Sequence, residues 1–180
     1  MQLLKLILAL SLSIFFVIEA HSQSSLNDSL DEVLRLKQSN TDSSLILINQ
    51  LKSNVDFQAP IDQIKIRTVE AAIYDDRGAL NKSKEIIKLN ISSPSIDSIT
   101  LANNLNNLGL IFNKMGLYDS AALMVHKGLD LRRSMNLSLE TAKSLNNLGL
   151  ISNNQNDFQN AEKFFKEALQ IKLDQQAEKR

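Results

Sequence analysis

Cysteine is absent from the 180-residue chain. Its absence excludes disulfides, thiolate nucleophiles and Cys-type zinc sites together, and with them the lipid-bearing cysteine of a bacterial lipoprotein. Histidine is nearly absent too, with only His21 and His126. A His-built metal site or a Ser-His-Asp triad within one chain is therefore all but ruled out. No Gly-rich phosphate loop is present. No catalytic residue, metal ligand or cofactor is assigned, and an enzyme is not expected. Tryptophan is missing and aromatics make up 5%, which speaks against a β-sandwich or barrel. Two prolines and five glycines leave long stretches free of helix breakers. Lys+Arg and Asp+Glu are 20 each, so the basic excess that phosphates demand is lacking and nucleic acid is not an expected partner. What remains is an all-α chain.

The first residues have a different character from the rest. Met1 to Lys5 carry the amino terminus and one lysine. Leu6 to Ile18 is an apolar run broken only by Ser11 and Ser13, and Ala20-His21-Ser22 places small residues at the −3 and −1 positions of a cut before Gln23. That order is the pattern of a secretory signal peptide, here residues 1–22. The run is shorter than the ~20 residues that cross a bilayer. Export to the periplasm is the expectation, with secretion as the alternative. Membrane association is expected only if the segment stays uncleaved or the native chain continues beyond Arg180.

The rest of the chain repeats itself. Ser144-Leu145-Asn146-Asn147-Leu148-Gly149-Leu150-Ile151 matches Asn104-Leu105-Asn106-Asn107-Leu108-Gly109-Leu110-Ile111, forty residues earlier, at seven of eight positions. Weaker similarity follows, Gly116 to Ala121 facing Asn156 to Ala161, then Lys127 to Leu131 facing Glu167 to Ile171. Each unit reads as two amphipathic helices around a short turn. Leu105, Leu108, Gly109 and Phe112 fall on one buried stripe. A mid-helix glycine costs about 1 kcal/mol against alanine. Gly109 and Gly149 therefore imply a partner helix too close for a side chain, with Ala121 and Ala161 as the small residues opposite. Tyr118 and Phe158 open the second helices, and Val125/Leu129 and Phe165/Leu169 are expected to continue their buried face.

These residues resemble the tetratricopeptide repeat family. Leu108-Gly109, Phe112, Gly116, Tyr118 and Ala121 follow its signature, as do Leu148-Gly149, Phe158, Ala161, Phe165 and Ala168. Ser152, Val125 and Gly128 depart from it. The forty-residue spacing is most similar to the longer repeats of kinesin light chain and of bacterial sensor proteins. The resemblance implies an α-solenoid of antiparallel helix pairs, a tetratricopeptide-like superhelix, with repeats at residues 98–136 and 138–176 and a tail at 177–180. Upstream, Ala71, Tyr74, Gly78, Leu80, Ser83 and Ile87 keep the spacing in a degenerate repeat over residues 58–92, with Arg67 and Glu70 where apolar residues belong. Residues 23–57 read as a degenerate N-terminal helix pair, Leu26–Lys37 and Leu45–Val55, with Asn40-Thr41-Asp42 as turn and cap. Pro60 suits the first turn of a helix. Ser95 or Asp97 is expected to cap the helix after the Pro94 linker.

A binding site is expected on the first helices, which line the inner surface of such a stack. Opposite the buried stripe lie Asn103, Asn106, Leu110, Asn113 and Lys114, with Lys143, Asn146, Leu150, Asn153 and Asn154 at the same places one unit on. Carboxamides donate and accept at once, so a row of them can pair with the backbone of an extended peptide. In the resembled family Asn107 and Asn147 match asparagines used for peptide binding. Asparagine is also 18 of 180 residues, so a merely solvated or structural Asn-rich face is the competing reading.

Three other features are read as structural. Tyr74-Asp75-Asp76-Arg77 reads as a solvated helix end, His126 as a surface or half-buried histidine, and Arg132-Arg133 as cations at a helix C-terminus. Asn136-Leu137-Ser138 fits the glycosylation acceptor pattern. The last helix carries Phe164, Phe165, Leu169 and Leu173 with no further helix in the sequence to cover them, so a homodimer through this helix is one expectation and a longer native chain the other. Two functions follow. The first is an exported scaffold binding a protein or peptide in an Asn-rich groove. The second is the extracytoplasmic sensory input region of a histidine-kinase-like signalling protein.

Overall fold

The computed structural model describes residues 26–177, and every regular element among them is helical. Residues 1–25, and with them the export segment, lie outside the described residues, as do 178–180. No helix among the described residues is long and apolar enough to cross a membrane. The chain divides into two compact units, one ending at Ile73 and the other starting at Tyr74.

The first unit holds α1 (residues 26–39), α2 (Thr41–Ser53), a single 3-10 turn (Val55–Phe57) and the larger part of α3 (Pro60–Asp76). Asn40 alone separates α1 from α2, and its side chain accepts a hydrogen bond from the Ser43 backbone N–H at 3.0 Å. A short polar side chain in extended geometry satisfies an orphan amide of the first turn. Leu26, Leu30 and Val33 of α1 pack with Ile48 and Leu51 of α2 and with Ile66 and Ile73 of α3. Glu70 is the anomaly in this core, a carboxylate only 7% exposed. Both its oxygens accept from Lys52 Nζ at 3.1 Å, so the buried charge is paired.

The second unit holds α4 (Leu80–Ile91), α5 (Ser98–Lys114), α6 (Tyr118–Ser134), α7 (Ser138–Asn154) and α8 (Phe158–Ala177). α5 packs against α6 and α7 against α8 as antiparallel hairpins, while α6 also packs against α7 and α4 against α5. The short connections share one device. Gly78, Gly116, Asn136 and Asn156 each take the left-handed conformation, with φ of 72°, 75°, 55° and 61°. After α5, Gly116 N–H donates to Asn113 O at 3.0 Å and Leu117 N–H to Phe112 O at 2.9 Å. After α7, Asn156 and Asp157 make the same two bonds to Asn153 and Ser152. This is the Schellman ending, and it explains why asparagine can stand where the repeat elsewhere has glycine: both visit the left-handed region at low cost.

The expected close approach of the paired helices is present. A Cβ added to Gly109 would overlap Val125 Cγ2 and lie 2.9 Å from the Ala121 carbonyl oxygen. Ala121, Val125 and Leu129 of α6 are buried with Ala142, Leu145 and Leu148 of α7. One expectation is overturned in α8. Phe165 and Leu169 do not continue a buried face but are 38% and 56% exposed, because no helix among the described residues lies over them as α7 lies over α6.

The connection from α4 to α5 is longer and contains Pro94, and Asp97 caps α5 as its sequence position suggests. The Asp97 carboxylate accepts from the Thr100 backbone N–H at 2.8 Å and from the Thr100 hydroxyl at 2.7 Å. The Thr100 backbone bond is the main reason its pKa lies below the ordinary aspartate value. A depressed folded pKa means that this contribution is present above the unfolded value and is lost as pH falls through the folded one. Asp97→Ala should therefore cost about 1 kcal/mol at neutral pH. Its urea midpoint should converge on that of the wild type as the solution is acidified below about pH 4. A gap between the two that stays constant down to pH 2 would contradict the role.

Candidate functional site

The residues expected to form a peptide ladder lie on α5 and α7, and the structure divides them into two groups. The first group ties the two helices together. Asn106 departs from its expected exposed position: it is 6% exposed, and its Oδ1 accepts from Asn147 Nδ2 at 3.0 Å. The Ser144 hydroxyl reaches the same oxygen at 3.5 Å. Two turns further along, Asn154 Nδ2 donates to Asn113 Oδ1 at 2.9 Å. Asn106 is buried for a simple reason. A first helix in a stack meets the next first helix as well as its own hairpin partner, so the flank facing that neighbour is also covered.

The second group is available. Asn107, Asn146 and Asn153 make no side-chain hydrogen bond among the described residues. Leu150 is 49% exposed and Leu110 half-buried. The flanking cations are partly spoken for. Lys114 Nζ lies 2.7 Å from Asp75 Oδ2, and Lys143 Nζ lies 3.8 Å from Glu140 Oε1. The available surface is thus a row of neutral amides around two leucines, with its positive charge largely matched.

Asn103 is exposed, yet its Oδ1 accepts from Arg132 Nη2 at 2.8 Å. Arg132 stands in the last turn of α6, as its position in the sequence suggests. It is also a buried group, 4% exposed, reaching from α6 to both neighbouring helices. Its Nη1 donates to the Ser144 hydroxyl at 2.6 Å and to the Glu140 carbonyl at 3.0 Å. Burial lowers its pKa, with the Glu140 charge acting the other way. The signal was present in the sequence: Val125, Leu129 and Arg132 continue one helical stripe, so the arginine falls on the buried side. Asp75 is likewise more than a solvated helix end, since it holds Lys114 from the end of α3. A second unforeseen pair joins α4 to α5, where Asn90 Nδ2 donates to Asn104 Oδ1 at 3.1 Å, both side chains buried. His126 is exposed, as read, with its ring edge-on to Phe164 at 6.1 Å.

Comparison with known proteins bears on this arrangement. The model of the tetratricopeptide repeat family matches residues 100–174. These hairpins are tetratricopeptide repeats. Comparison with curated proteins returns no match. Among solved structures, PilF of Pseudomonas aeruginosa is similar at a TM-score of 0.65 and 16% identity over 84% of this chain and 63% of that one. The chain therefore spans less than two thirds of the PilF chain. MamA aligns at 0.57 and 17% identity over 88% and 89% of the two chains. A Podospora anserina structure described as kinesin light chain, with nearly identical tetratricopeptide-like repeats, aligns at 0.54 and 11% identity over 85% and 97%. Identities this low establish the fold alone. Tetratricopeptide arrays typically serve as non-enzymatic scaffolds for protein–protein interaction, and the particular function rests on the surface each array presents.

Proposed function

We propose that the chain is an exported tetratricopeptide scaffold that binds an extended peptide, or an extended segment of a protein, across the α5 and α7 face. The observation that carries this is that each repeat sets unpaired carboxamides beside a partly exposed leucine, Asn107 with Leu110 in one and, at different positions, Asn146 and Asn153 with Leu150 in the next. Amides at that spacing can pair with a peptide backbone, and the leucines supply apolar contact between them. The charge pairing of Lys114 with Asp75 favours a neutral segment over an acidic one. Export rests on the order of charge, apolar run and small residues in the first 22 positions.

The test is selection of peptides from a random display library against the folded chain, followed by titration of the selected peptides in solution. Leu150→Asp with Asn146→Ala should weaken binding by more than about tenfold, the scale of one lost apolar anchor. The melting temperature should stay close to that of the wild type, because both residues are at least partly exposed. Asn106 is unsuitable for this purpose, since its removal would disturb the contact between α5 and α7. Peptides that bind the double variant as tightly as the wild type would remove the reading.

A further inference from the structure

The second helix of one repeat and the second helix of the next are offered to different surroundings. On α6, Ala121, Val125 and Leu129 are 0%, 0% and 1% exposed beneath α7. Forty residues on, Ala161 is buried as Ala121 is, but Phe165 and Leu169 are open at 38% and 56%, and Phe158 at the start of α8 is 62% exposed. This surface is suited to receive a helix, since Phe165 and Leu169 stand where α6 has Val125 and Leu129, which are buried with α7 residues. Singly exposed leucines are ordinary, but an apolar stripe over three turns of one helix is not.

We propose that this face is a homodimer surface, with the α8 helices of two copies packing antiparallel about a two-fold axis near residue 164. The commitment to a second copy comes from the order of residues along the stripe. Glu162 and Lys166 stand two positions either side of residue 164, on one edge of the stripe, and are ion-paired within the helix at 2.6 Å. Turning a second α8 end for end about that point sets Glu162 opposite Lys166 of the second copy. It also sets Phe158 beside Leu169 of the second copy, each contact occurring twice by symmetry. A two-fold interface must be complementary to itself in this way. Both charges are solvent-exposed, 66% and 74%, and free to exchange an intrachain partner for an interchain one. One helix face places the contact at the small end of specific interfaces, so association should be reversible and seen at high protein concentration.

Sedimentation of the purified chain tests this. At about 100 µM the mass should approach that of two chains, as suits a small interface, and fall to one on dilution. Leu169→Glu should leave the helical circular dichroism unchanged and the protein monomeric at all concentrations. Glu162→Lys and Lys166→Glu should each weaken the dimer by about tenfold through two like-charge contacts. Mixed in equal amounts, the two charge variants should recover association, because each then meets an opposite charge on the other chain. A wild-type chain that stays monomeric overturns the proposal and leaves the face to a further helix or to another protein. A dimer that survives Leu169→Glu overturns it, and so does a mixture of charge variants that fails to associate.

Discussion

Gly109→Ala should destabilise the protein by about 2 kcal/mol, whereas Gly149→Ala should stay within about 1 kcal/mol of the wild type. The two glycines occupy the same place in successive repeats, and propensity alone would make both substitutions favourable by about 1 kcal/mol. What differs is the neighbour. A Cβ at 109 meets the Ala121 backbone carbonyl at 2.9 Å, together with a Val125 methyl. Backbone in a packed hairpin can yield only if the whole helix moves, and overpacking of that kind costs more than propensity returns. A Cβ at 149 meets the ring of Phe165, at 2.5 Å from Cε1. That ring is 38% exposed and can turn aside. Urea unfolding of the two variants decides the matter, and equal midpoints would show that close approach of α5 to α6 is not what requires the glycine.

Arg132→Ala should lose about 3 kcal/mol, the largest effect expected of any polar residue in the second unit. Three hydrogen bonds leave one guanidinium for three acceptors, the Ser144 hydroxyl, the Glu140 carbonyl and the Asn103 amide. Hydrogen bonds to a charged group contribute about 1.5–3 kcal/mol each, less the cost of keeping the charge out of water. Arg132→Lys should recover only part of the loss, because one ammonium cannot span acceptors set for a planar fork. Arg132→Met keeps the packing volume and removes every bond, so it separates the two contributions. Wild-type stability in Arg132→Met would mean that the bonds merely offset desolvation and that the residue acts through its bulk.

Much of the second unit was legible from the residues because each position there is answered by another forty residues away. The Leu108-Gly109 and Leu148-Gly149 cores, the small Ala121 and Ala161, and the Asp97 cap each reflect a local rule, and each is found where that rule puts it. The residues that escaped share a different property: their environment is set by a second neighbour. A helix wheel drawn for one hairpin has one buried side, and on it Asn106 points to water. In the stack α7 covers that flank, and Asn106 is enclosed. The charge of Arg132 points to a helix end, although the residue lies on a buried stripe and is held by partners distant in sequence. Phe165 and Leu169 were read by their apolarity, although the helix that would cover them is not among those described. Pattern predicts the face of a helix well and its occupancy poorly.

The connectors described above have a consequence for how such an array can lengthen. From α5 onward each link is three residues long, closed by the same pair of backbone bonds around one left-handed position. A copied stretch of forty residues inserted in frame would meet junctions already compatible with it, and nothing at either seam would need repair. Growth by whole modules is thereby open to this chain, while the gain or loss of a single link residue would throw every following helix out of step.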